Sequence, residues 1–351
     1  MTHTVQNPSI GSSPRGAASG IWRITLLGAV MAALTGCGGG GSSGTSATTP
    51  SGTTPPASGS GGSTASAGSS TAASTAGVLC DFKGAGTQAI ATLGTERSTM
   101  TTNLPYQYAW ACGAANRTLV GNGIPDHAIS GGNFATAIGV QSISVAISLS
   151  PAVVSATGTP LGGPAGAPGY SLNGIKFDPG TAGTCNATAC DPAGNGGVWR
   201  MEALGGSFRF GTDANNSHVQ PNGEYHLHGM PEVLLQRLST PATPAPTLVG
   251  WATDGFPVYA RHGYANANDA GSGVRVMKSS YRIKATLDAG RPSATTYVPG
   301  SFTQDWEYAA GSGDLDECNG RTGVTPEFPK GIYHYYITDT YPFIQRCVKG
   351  R

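Results

Sequence analysis

The sequence is poor in charged side chains. Asp, Glu, Lys and Arg make up 11% of its 351 residues, whereas ordinary globular chains carry about 25%. The 20 basic residues nearly balance the 19 acidic ones, and neither sign is gathered into a stripe or a tail. Because nucleic-acid binding depends on clustered positive charge, the composition gives that class of function no support.

Familiar catalytic signatures are also missing. Beyond the glycine-rich stretch at 38–77, the sequence contains no G-x-S-x-G, no H-E-x-x-H, no P-loop and no dinucleotide-binding fingerprint. These motifs mark serine hydrolases, zinc proteases, nucleotide hydrolases and nicotinamide or flavin enzymes. Their absence directs attention to less common arrangements of polar residues.

The hydrophobic run near the N-terminus is short. The stretch ITLLGAVMAAL at 24–34 follows Arg15 and Arg23. It falls below the roughly 20 apolar residues that a membrane helix needs, so it indicates a secretory signal peptide at 1–36. Its end, LTGC, resembles a bacterial lipobox and predicts a lipid on Cys37, although an ordinary signal peptide is the alternative. We expect a lipid-anchored cell-envelope protein, with the outer membrane favoured because no aspartate follows the cysteine.

Composition divides the rest of the chain into two parts. Residues 38–77 contain only Gly, Ser, Thr, Ala and Pro, which cannot bury a core, so 37–77 is expected to be a disordered linker behind the lipidated cysteine. The remainder, 78–351, carries the aromatic and β-branched residues of a folded domain. We predict a mainly β fold there, as one compact domain or as two β lobes, with a β-rich α+β mixture as an alternative.

Local patterns place several strands and one helix. Strand-like alternation occurs at 134–151, 280–287 and 331–338. The stretch 248–260 contains two strand-like runs around Asp254-Gly255, a dipeptide that suits a type I′ hairpin turn. The stretch MPEVLLQRL at 230–238 has proline and glutamate at its start and arginine near its end, which predicts a short helix.

Beyond Cys37, the chain has an even number of cysteines. In an exported protein this favours disulfide bonds over free thiols. A zinc site made of cysteines is the alternative, but no C-x₂-C spacing supports it. Proximity along the chain favours the pairs Cys80–Cys112, Cys185–Cys190 and Cys318–Cys347.

Two similar phrases contain three of the seven histidines: GEYHLHGMPEVLL begins at 223 and GIYHYYITDTYP begins at 331. On a strand, side chains alternate between faces, so His226 and His228 project to the same side. If the two phrases lie side by side or face each other, His334 joins them. Three imidazoles with an open position are typical of catalytic zinc and of several copper sites. A metal-free hydrogen-bonded network is the alternative interpretation of these Tyr-His pairs.

Other residues are candidates for supporting roles. His127, in GNGIPDH, and His218, eight residues before His226, are candidate additional metal ligands. Glu224 and Asp254 are candidate general bases for a metal-activated water. For Asp254, however, its place in the predicted turn already explains the residue.

Six ordered blocks run through the later part of the chain: NGIPDH (122–127), NGIKFDPGTAG (173–183), SHVQPNGEYHLHGMP (217–231), GWATDGFPVYA (250–260), LDECNGR (315–321) and GIYHYYITDTYPFIQRC (331–347). Taken together, these blocks resemble the YHYH family, a group of exported proteins named for a Tyr-His-Tyr-His motif. The resemblance covers roughly 120–350. Two residues depart from the motif, since Leu227 separates the first two histidines and Tyr336 stands where a second histidine could complete the later phrase. The resemblance implies a domain type and no particular activity.

Three functions follow as hypotheses. The first is a metal-handling envelope protein that binds copper or zinc through His226, His228 and His334. The second is a metal-dependent hydrolase that uses the same histidines. The third is a metal-free module that binds a small molecule or a surface. The first two require the two phrases to lie close together.

Overall fold

In the computed structural model of the protein, the described residues are 80–93, 99–129, 132–208, 210–239 and 242–350. They belong to one unit of internal contacts, Ala67–Arg351. The expected signal peptide (1–36), lipidated Cys37 and linker (37–77) lie outside the described residues. Within the described part of the chain, no helix is long and apolar enough to cross a membrane.

The fold is mainly β, as predicted. The strands are β1 (Lys83–Leu93), β2 (Thr99–Cys112), β3 (Asn116–Gly121), β4 (Ile143–Ser148), β5 (Thr159–Pro160), β6 (Gly169–Ser171), β7 (Lys176–Phe177), β8 (Thr184–Cys185), β9 (Cys190–Asp191), β10 (Trp199–Arg200), β11 (Ser217–Val219), β12 (Tyr225–Leu227), β13 (Thr247–Ala252), β14 (Pro257–Ala260), β15 (His262–Asn266), β16 (Asp269–Val276), β17 (Tyr281–Ile283), β18 (Trp306–Tyr308), β19 (Gly320–Gly323), β20 (Ile332–Ile337) and β21 (Cys347–Val348).

Helical segments are short. The helix α1 (Glu232–Leu238) forms where the sequence predicted it and buries Leu234 and Leu235. Two 3₁₀ turns, η1 (Gly163–Ala165) and η2 (Thr303–Asp305), lie in connecting segments.

The largest sheet has eight strands in the order β11-β12-β7-β6-β13-β14-β20-β19. A second sheet, β1-β2-β3-β4, comes from the N-terminal part of the described chain. The smaller sheets are β10-β8-β9, β15-β16, β17-β18 and β21-β5. All residues of β13 and β14 are buried, which explains why their sequences read as nearly continuous apolar runs rather than as alternating ones.

The eight-stranded sheet is built from two copies of one four-strand unit. The first unit is β6, β7, β11 and β12, and the second is β13, β14, β19 and β20. In each unit the strands form two antiparallel pairs, and the fourth strand lies parallel to the second. The units meet where β6 and β13 run antiparallel with Tyr170 opposite Trp251. A pseudo-two-fold axis therefore passes between these two strands.

The turns inside the units show the same repetition. The predicted hairpin is formed by β13 and β14, but the type I′ assignment is wrong, because that turn needs positive φ at both central residues and Asp254 does not adopt it. Instead, the Gly255 N–H donates to the Ala252 carbonyl, and Gly255 has a φ of 94°. In the first unit the Gly174 N–H donates to the Ser171 carbonyl in the same way, with φ of 78°.

Two predicted strands are shorter than expected. The stretch 134–151 contributes only β4, and 280–287 contributes only β17. In the first case the backbone has other partners, since the Gly139 N–H donates to the Gly223 carbonyl. The stretch 331–338 contains β20 as expected.

The disulfide prediction is confirmed. The three bonds have Cα–Cα separations of 5.0, 4.0 and 5.1 Å. They use every cysteine in the described part of the chain, so a cysteine zinc site there is ruled out. The bonds are Cys80–Cys112, Cys185–Cys190 and Cys318–Cys347.

Candidate metal centre

Three histidines of the first unit come together at the outer edge of the large sheet. His218 on β11 lies directly opposite His226 on β12, and His228 follows β12 immediately. Their potential ligand nitrogens all lie within 4.8 Å of one another. The ring centroids are 4.6, 4.8 and 4.7 Å apart. We call these three residues the His cluster.

A tight turn creates this arrangement. The Gln220 N–H donates to the Glu224 carbonyl, and the Gly223 N–H donates to the Gln220 carbonyl. Gly223 has a φ of 86°, a backbone conformation that glycine adopts without steric penalty. The turn reverses the chain, so the two strands pair and His218 lies across from His226.

Hydrogen bonds fix the tautomers of two rings. His226 Nδ1 lies 3.1 Å from the Glu224 carbonyl oxygen, and His218 Nδ1 lies 2.8 Å from the Phe210 carbonyl oxygen. A carbonyl oxygen only accepts, so both Nδ1 atoms carry the proton and both Nε2 atoms carry a lone pair. The Nε2 atoms of His226 and His228 are 3.0 Å apart. Because His226 Nε2 accepts, His228 Nε2 carries the proton in this hydrogen bond, and a metal between the two nitrogens would require that proton to shift to Nδ1 of His228.

The cluster is shielded from water and uncharged. His226 and His228 are each 1% exposed. Burial lowers the pKa of all three imidazoles, and for His226 and His228 the neighbouring imidazoles lower it further. Lys176 acts in the same direction on His226, as Arg346 does on His228. The rings are neutral near pH 7, which is the form that binds metals.

Acidic groups beside the cluster are already paired. Lys176 Nζ lies 2.5 Å from Glu224 Oε2 and 3.3 Å from Asp178 Oδ2. The Gln220 amide also donates to Asp178 at 2.9 Å. Glu224, a candidate general base, is thus held by an ammonium group rather than directed at the imidazoles.

His334 lies elsewhere, so the prediction that it converges with His226 and His228 is wrong. Four strands separate β12 from β20 in the sheet. The distance along the sheet is five strand spacings of about 4.8 Å, or roughly 24 Å. The two phrases occupy equivalent positions in the two units. Because the pseudo-two-fold axis lies between the units, the phrases are on opposite sides of it and far apart.

The surroundings of His334 form a hydrogen-bonded polar network. His334 Nδ1 donates to the Ile332 carbonyl at 2.9 Å, and Nε2 lies 3.1 Å from the Tyr336 hydroxyl. Arg321 lies opposite His334 on β19 and donates to that hydroxyl at 3.3 Å. Burial, with Arg321 adding to it, lowers the pKa of His334 to about 4.

His127 also lies outside the His cluster. Its ring contacts Tyr225 edge-on with centroids 6.3 Å apart, and Tyr225 projects to the face of β12 opposite His226. Its Nδ1 is 3.7 Å from Asp126. The prediction that His127 assists the site is therefore wrong, whereas His218 does join His226 and His228.

Asp254 has a structural role in the second unit. Its carboxylate accepts the Tyr335 hydroxyl at 2.6 Å and the Gly350 N–H at 2.9 Å. Burial raises its pKa, and these hydrogen bonds oppose that rise. Nothing in its surroundings brings it to the imidazoles, and its contacts are those of a turn residue.

The chain matches the family model described as YHYH protein over residues 144–350. It belongs to the YHYH protein family. The match starts later than the 120 expected from the sequence, so the block NGIPDH at 122–127 lies before it. No curated protein and no solved structure matches the chain.

The family motif falls in the first unit as Tyr225-His226-Leu227-His228. Leu227 is buried in the core, on the face away from the imidazoles, as expected. The Tyr225 hydroxyl donates to Asp213 at 2.5 Å. This hydrogen bond between the motif tyrosine and a buried aspartate was not predicted from the sequence.

An equivalent pair exists in the second unit, where the Tyr333 hydroxyl donates to Asp316 at 2.9 Å. Each acid is followed three residues later by an asparagine with positive φ: Asn216 at 57° and Asn319 at 61°. The D-x-x-N spacing ahead of each Tyr-His phrase is a signal in the sequence that would have revealed the repeat.

Proposed function

We propose that the protein is a cell-envelope lipoprotein that binds one transition-metal ion, copper or zinc, through the His cluster. The observation that carries this proposal is the convergence of three neutral imidazoles whose ligand nitrogens lie within 4.8 Å. Imidazole is a ligand that suits both metals. The proposal keeps His226 and His228 from the sequence prediction and replaces His334 with His218.

The geometry fits an ion of this size. Zn–N bonds of about 2.0–2.1 Å in a tetrahedral site put the nitrogens about 3.3 Å apart. The Nε2 atoms of His226 and His228 are already 3.0 Å apart. Binding requires all three ligand nitrogens, which lie within 4.8 Å of one another, to approach to about this separation. Ligating histidines commonly donate their other N–H to a carbonyl, as His218 and His226 do here.

The surroundings favour holding a metal over catalysis. Two of the three rings are almost fully buried, and Glu224 is engaged by Lys176. A hydrolase would need a carboxylate free to take a proton from a metal-bound water. Metal storage, transfer or a structural role needs only the ligands.

The proposed location rests on the sequence. The LTGC site supports a lipid on Cys37, and the linker at 37–77 would then join the anchor to the folded part. An oxidising compartment outside the cytoplasm agrees with the three disulfides. The metal would be one available in the cell envelope.

The test is the metal content of the full chain, purified and then reconstituted with copper or zinc, by mass spectrometry. His226→Asn and His228→Asn are the test variants, because asparagine preserves a donor near the Nδ1 position and removes Nε2. His334→Asn is the matched control, since its Nδ1 also donates to a carbonyl two residues earlier.

About one equivalent in the parent and in His334→Asn, with none in the other two variants, supports the proposal. Equal metal content in all four proteins would place the metal elsewhere. No metal in the reconstituted parent would reject the metal function and favour the metal-free binding module.

A further inference from the structure

The His cluster offers a ligand set that carries no charge. Among the described residues, this group of potential ligands contains three imidazoles, no carboxylate and no thiol. Imidazole binds a metal as a neutral ligand, whereas carboxylates and thiolates bring negative charge to the ion. The charge of an ion in the cluster is therefore balanced only by side chains that do not ligate it.

The first group of such side chains surrounds Lys176. Its Nζ lies 2.5 Å from Glu224 and 3.3 Å from Asp178. Beyond the lowering caused by burial, Lys176 lowers the pKa of His226 further, while Asp178 opposes the lowering of the pKa of His218. Charges of both signs thus act on the rings. One ammonium group and two carboxylates leave one negative charge here.

The second group is an ion pair beside His228. In addition to burial and the neighbouring imidazoles, Arg346 lowers the pKa of His228. Arg346 donates to both carboxylate oxygens of Glu202, at 2.9 and 2.8 Å, and Glu202 is 1% exposed. The two charges of this pair cancel. The five charged side chains of the two groups therefore sum to one negative charge, from two cations and three carboxylates.

This balance matters because the rings are buried. His226 and His228 are each 1% exposed. The free energy needed to bury an ion rises with the square of its charge, unless neighbouring groups neutralise it. A monovalent ion would bring the cluster and its five charged neighbours to neutrality. A divalent ion would leave one positive charge unbalanced.

The number of ligands favours the same kind of ion. Zinc in closed sites takes four ligands in a tetrahedron, and Cu(II) prefers a square-planar or tetragonal set. The cluster supplies three nitrogens, because the Nδ1 atoms of His218 and His226 donate to carbonyls. Cu(I) has a filled d shell and forms stable complexes with two or three ligands.

We infer that the His cluster selects copper in its monovalent form, Cu(I), over zinc and Cu(II), and that charge balance is a cause of the selection. The inference rests on the proposed metal function, since it concerns the same three ligands. It narrows that function to one ion in one oxidation state. The ion enters and leaves as Cu(I), so no electron transfer is involved.

Anaerobic competition titrations of the full chain test the inference. Cu(I) is offered with bicinchoninate as a chromogenic competitor, and zinc and Cu(II) are offered with colorimetric chelators of known affinity. Ag(I) is a second monovalent probe with a filled d shell. His226→Asn reports whether binding uses the cluster. Lys176→Gln removes a positive charge and no ligand, and Lys284→Gln, which separates a partly exposed pair with Asp288, is its matched control.

The parent should bind about one equivalent of Cu(I), at least about 100-fold more tightly than zinc and at least about tenfold more tightly than Cu(II). His226→Asn should weaken the binding of every ion. Lys176→Gln should raise the affinity for zinc by a larger factor than the affinity for Ag(I), because a change in the field acts twice as strongly on a divalent ion. Lys284→Gln should change neither affinity.

The outcomes separate this inference from the proposed function. Tighter binding of zinc or Cu(II) than of Cu(I), lost in His226→Asn, would overturn the inference and leave the metal function standing. Equal factors for zinc and Ag(I) in Lys176→Gln would also overturn it, because charge would not be a cause of the selection. Binding of no ion, or binding unchanged in His226→Asn, would reject both. If Lys176→Gln fails to fold, the order of affinities in the parent decides.

Discussion

The two units of the large sheet share a backbone design and differ in chemistry. In both, the Tyr-His strand donates a tyrosine hydroxyl to an aspartate and an imidazole N–H to the carbonyl two residues earlier. The aspartate is buried in the first unit and partly exposed in the second. In the first unit, His226 has His218 opposite and His228 two residues on. In the second, His334 has Arg321 opposite and Tyr336 two residues on. The first arrangement concentrates lone pairs, and the second fills the same space with a cation and a phenol.

The two units show that the backbone framework and the metal-binding side chains are determined separately. The two units have the same backbone pairing, including one hydrogen bond beyond the paired strand residues. The His228 N–H donates to the Asn216 carbonyl, and the Tyr336 N–H donates to the Asn319 carbonyl, each at 2.9 Å. The framework therefore does not by itself make a metal site. In each unit two side chains decide the surroundings of His226 or His334. One is directly opposite on the neighbouring strand and the other is two residues later, and they are either further imidazoles or hydrogen-bond partners.

The largest expected effect comes from converting the first unit into the second. His218→Arg/His228→Tyr should lower metal affinity by about 1,000-fold or more, because two of three ligands are replaced and a cation is added. The second unit holds arginine and tyrosine at these positions, so the fold should accept them. Competition with a chromogenic chelator measures the affinity. Undiminished affinity would show that the first unit does not hold the metal.

The reverse conversion should create a site. Arg321→His/Tyr336→His places three imidazoles around β20 in the register of the first unit, and metal content should rise from about one equivalent to about two. Tyr336→His alone is the control, since it supplies only two imidazoles and should bind weakly. An unchanged stoichiometry in the double variant would mean that more than these two positions separates the units.

Removing the phenols tests the shared framework. Tyr225→Phe should lower the free energy of unfolding by about 3 kcal/mol, because it removes one donor from the buried Asp213 carboxylate, and Tyr333→Phe should lower it by less, because Asp316 is partly exposed. Urea unfolding with the disulfides intact is the measurement. Tyr308→Phe, at a half-exposed position, should change stability by less than about 0.5 kcal/mol. A loss in either variant no larger than that of Tyr308→Phe would contradict the shared role of the two phenols.

The smallest expected effect concerns pH. Because the pKa of His334 is lowered to about 4 in the folded protein, the unfolded chain binds a proton first as the pH falls below about 6.5. The stability that neutral His334 contributes is complete above that pH and is lost as the pH falls toward 4. From pH 7 to pH 5 the loss should be about 2 kcal/mol. Urea unfolding of the parent should show this loss in excess of His334→Phe, and parallel curves would contradict it.

Local features of the fold were predictable from sequence. The strand at the first Tyr-His phrase, the β13–β14 hairpin, α1 and the disulfide pairs follow from patterns that span a few residues or from proximity along the chain. The approach of His218 to His226 was also predictable, because only a turn separates the two residues in the sequence. The turn type was wrong because Asp-Gly suits several turns and the backbone conformation of Asp254 depends on its buried contacts.

The order of strands in the sheet was not predictable. The repeated Tyr-His phrase indicates two equivalent structures, whereas we predicted from it that the two phrases lie close together. Equivalent strands in a two-fold sheet lie on opposite sides of the axis, so His334 is remote from the His cluster. The face occupied by His127 likewise depends on packing between distant segments. Strand order and layer packing come from long-range burial, which no short motif encodes.

The central claim is that three imidazoles of the first unit hold one metal ion. X-ray absorption spectroscopy of the zinc- or copper-loaded full chain tests it most directly, with His218→Arg/His228→Tyr measured alongside. The account predicts about three nitrogen ligands at about 2.0–2.1 Å for zinc, with the scattering pattern of imidazole, and its loss in the variant. A shell of oxygen or sulfur without imidazole, or the same spectrum in both proteins, would contradict it.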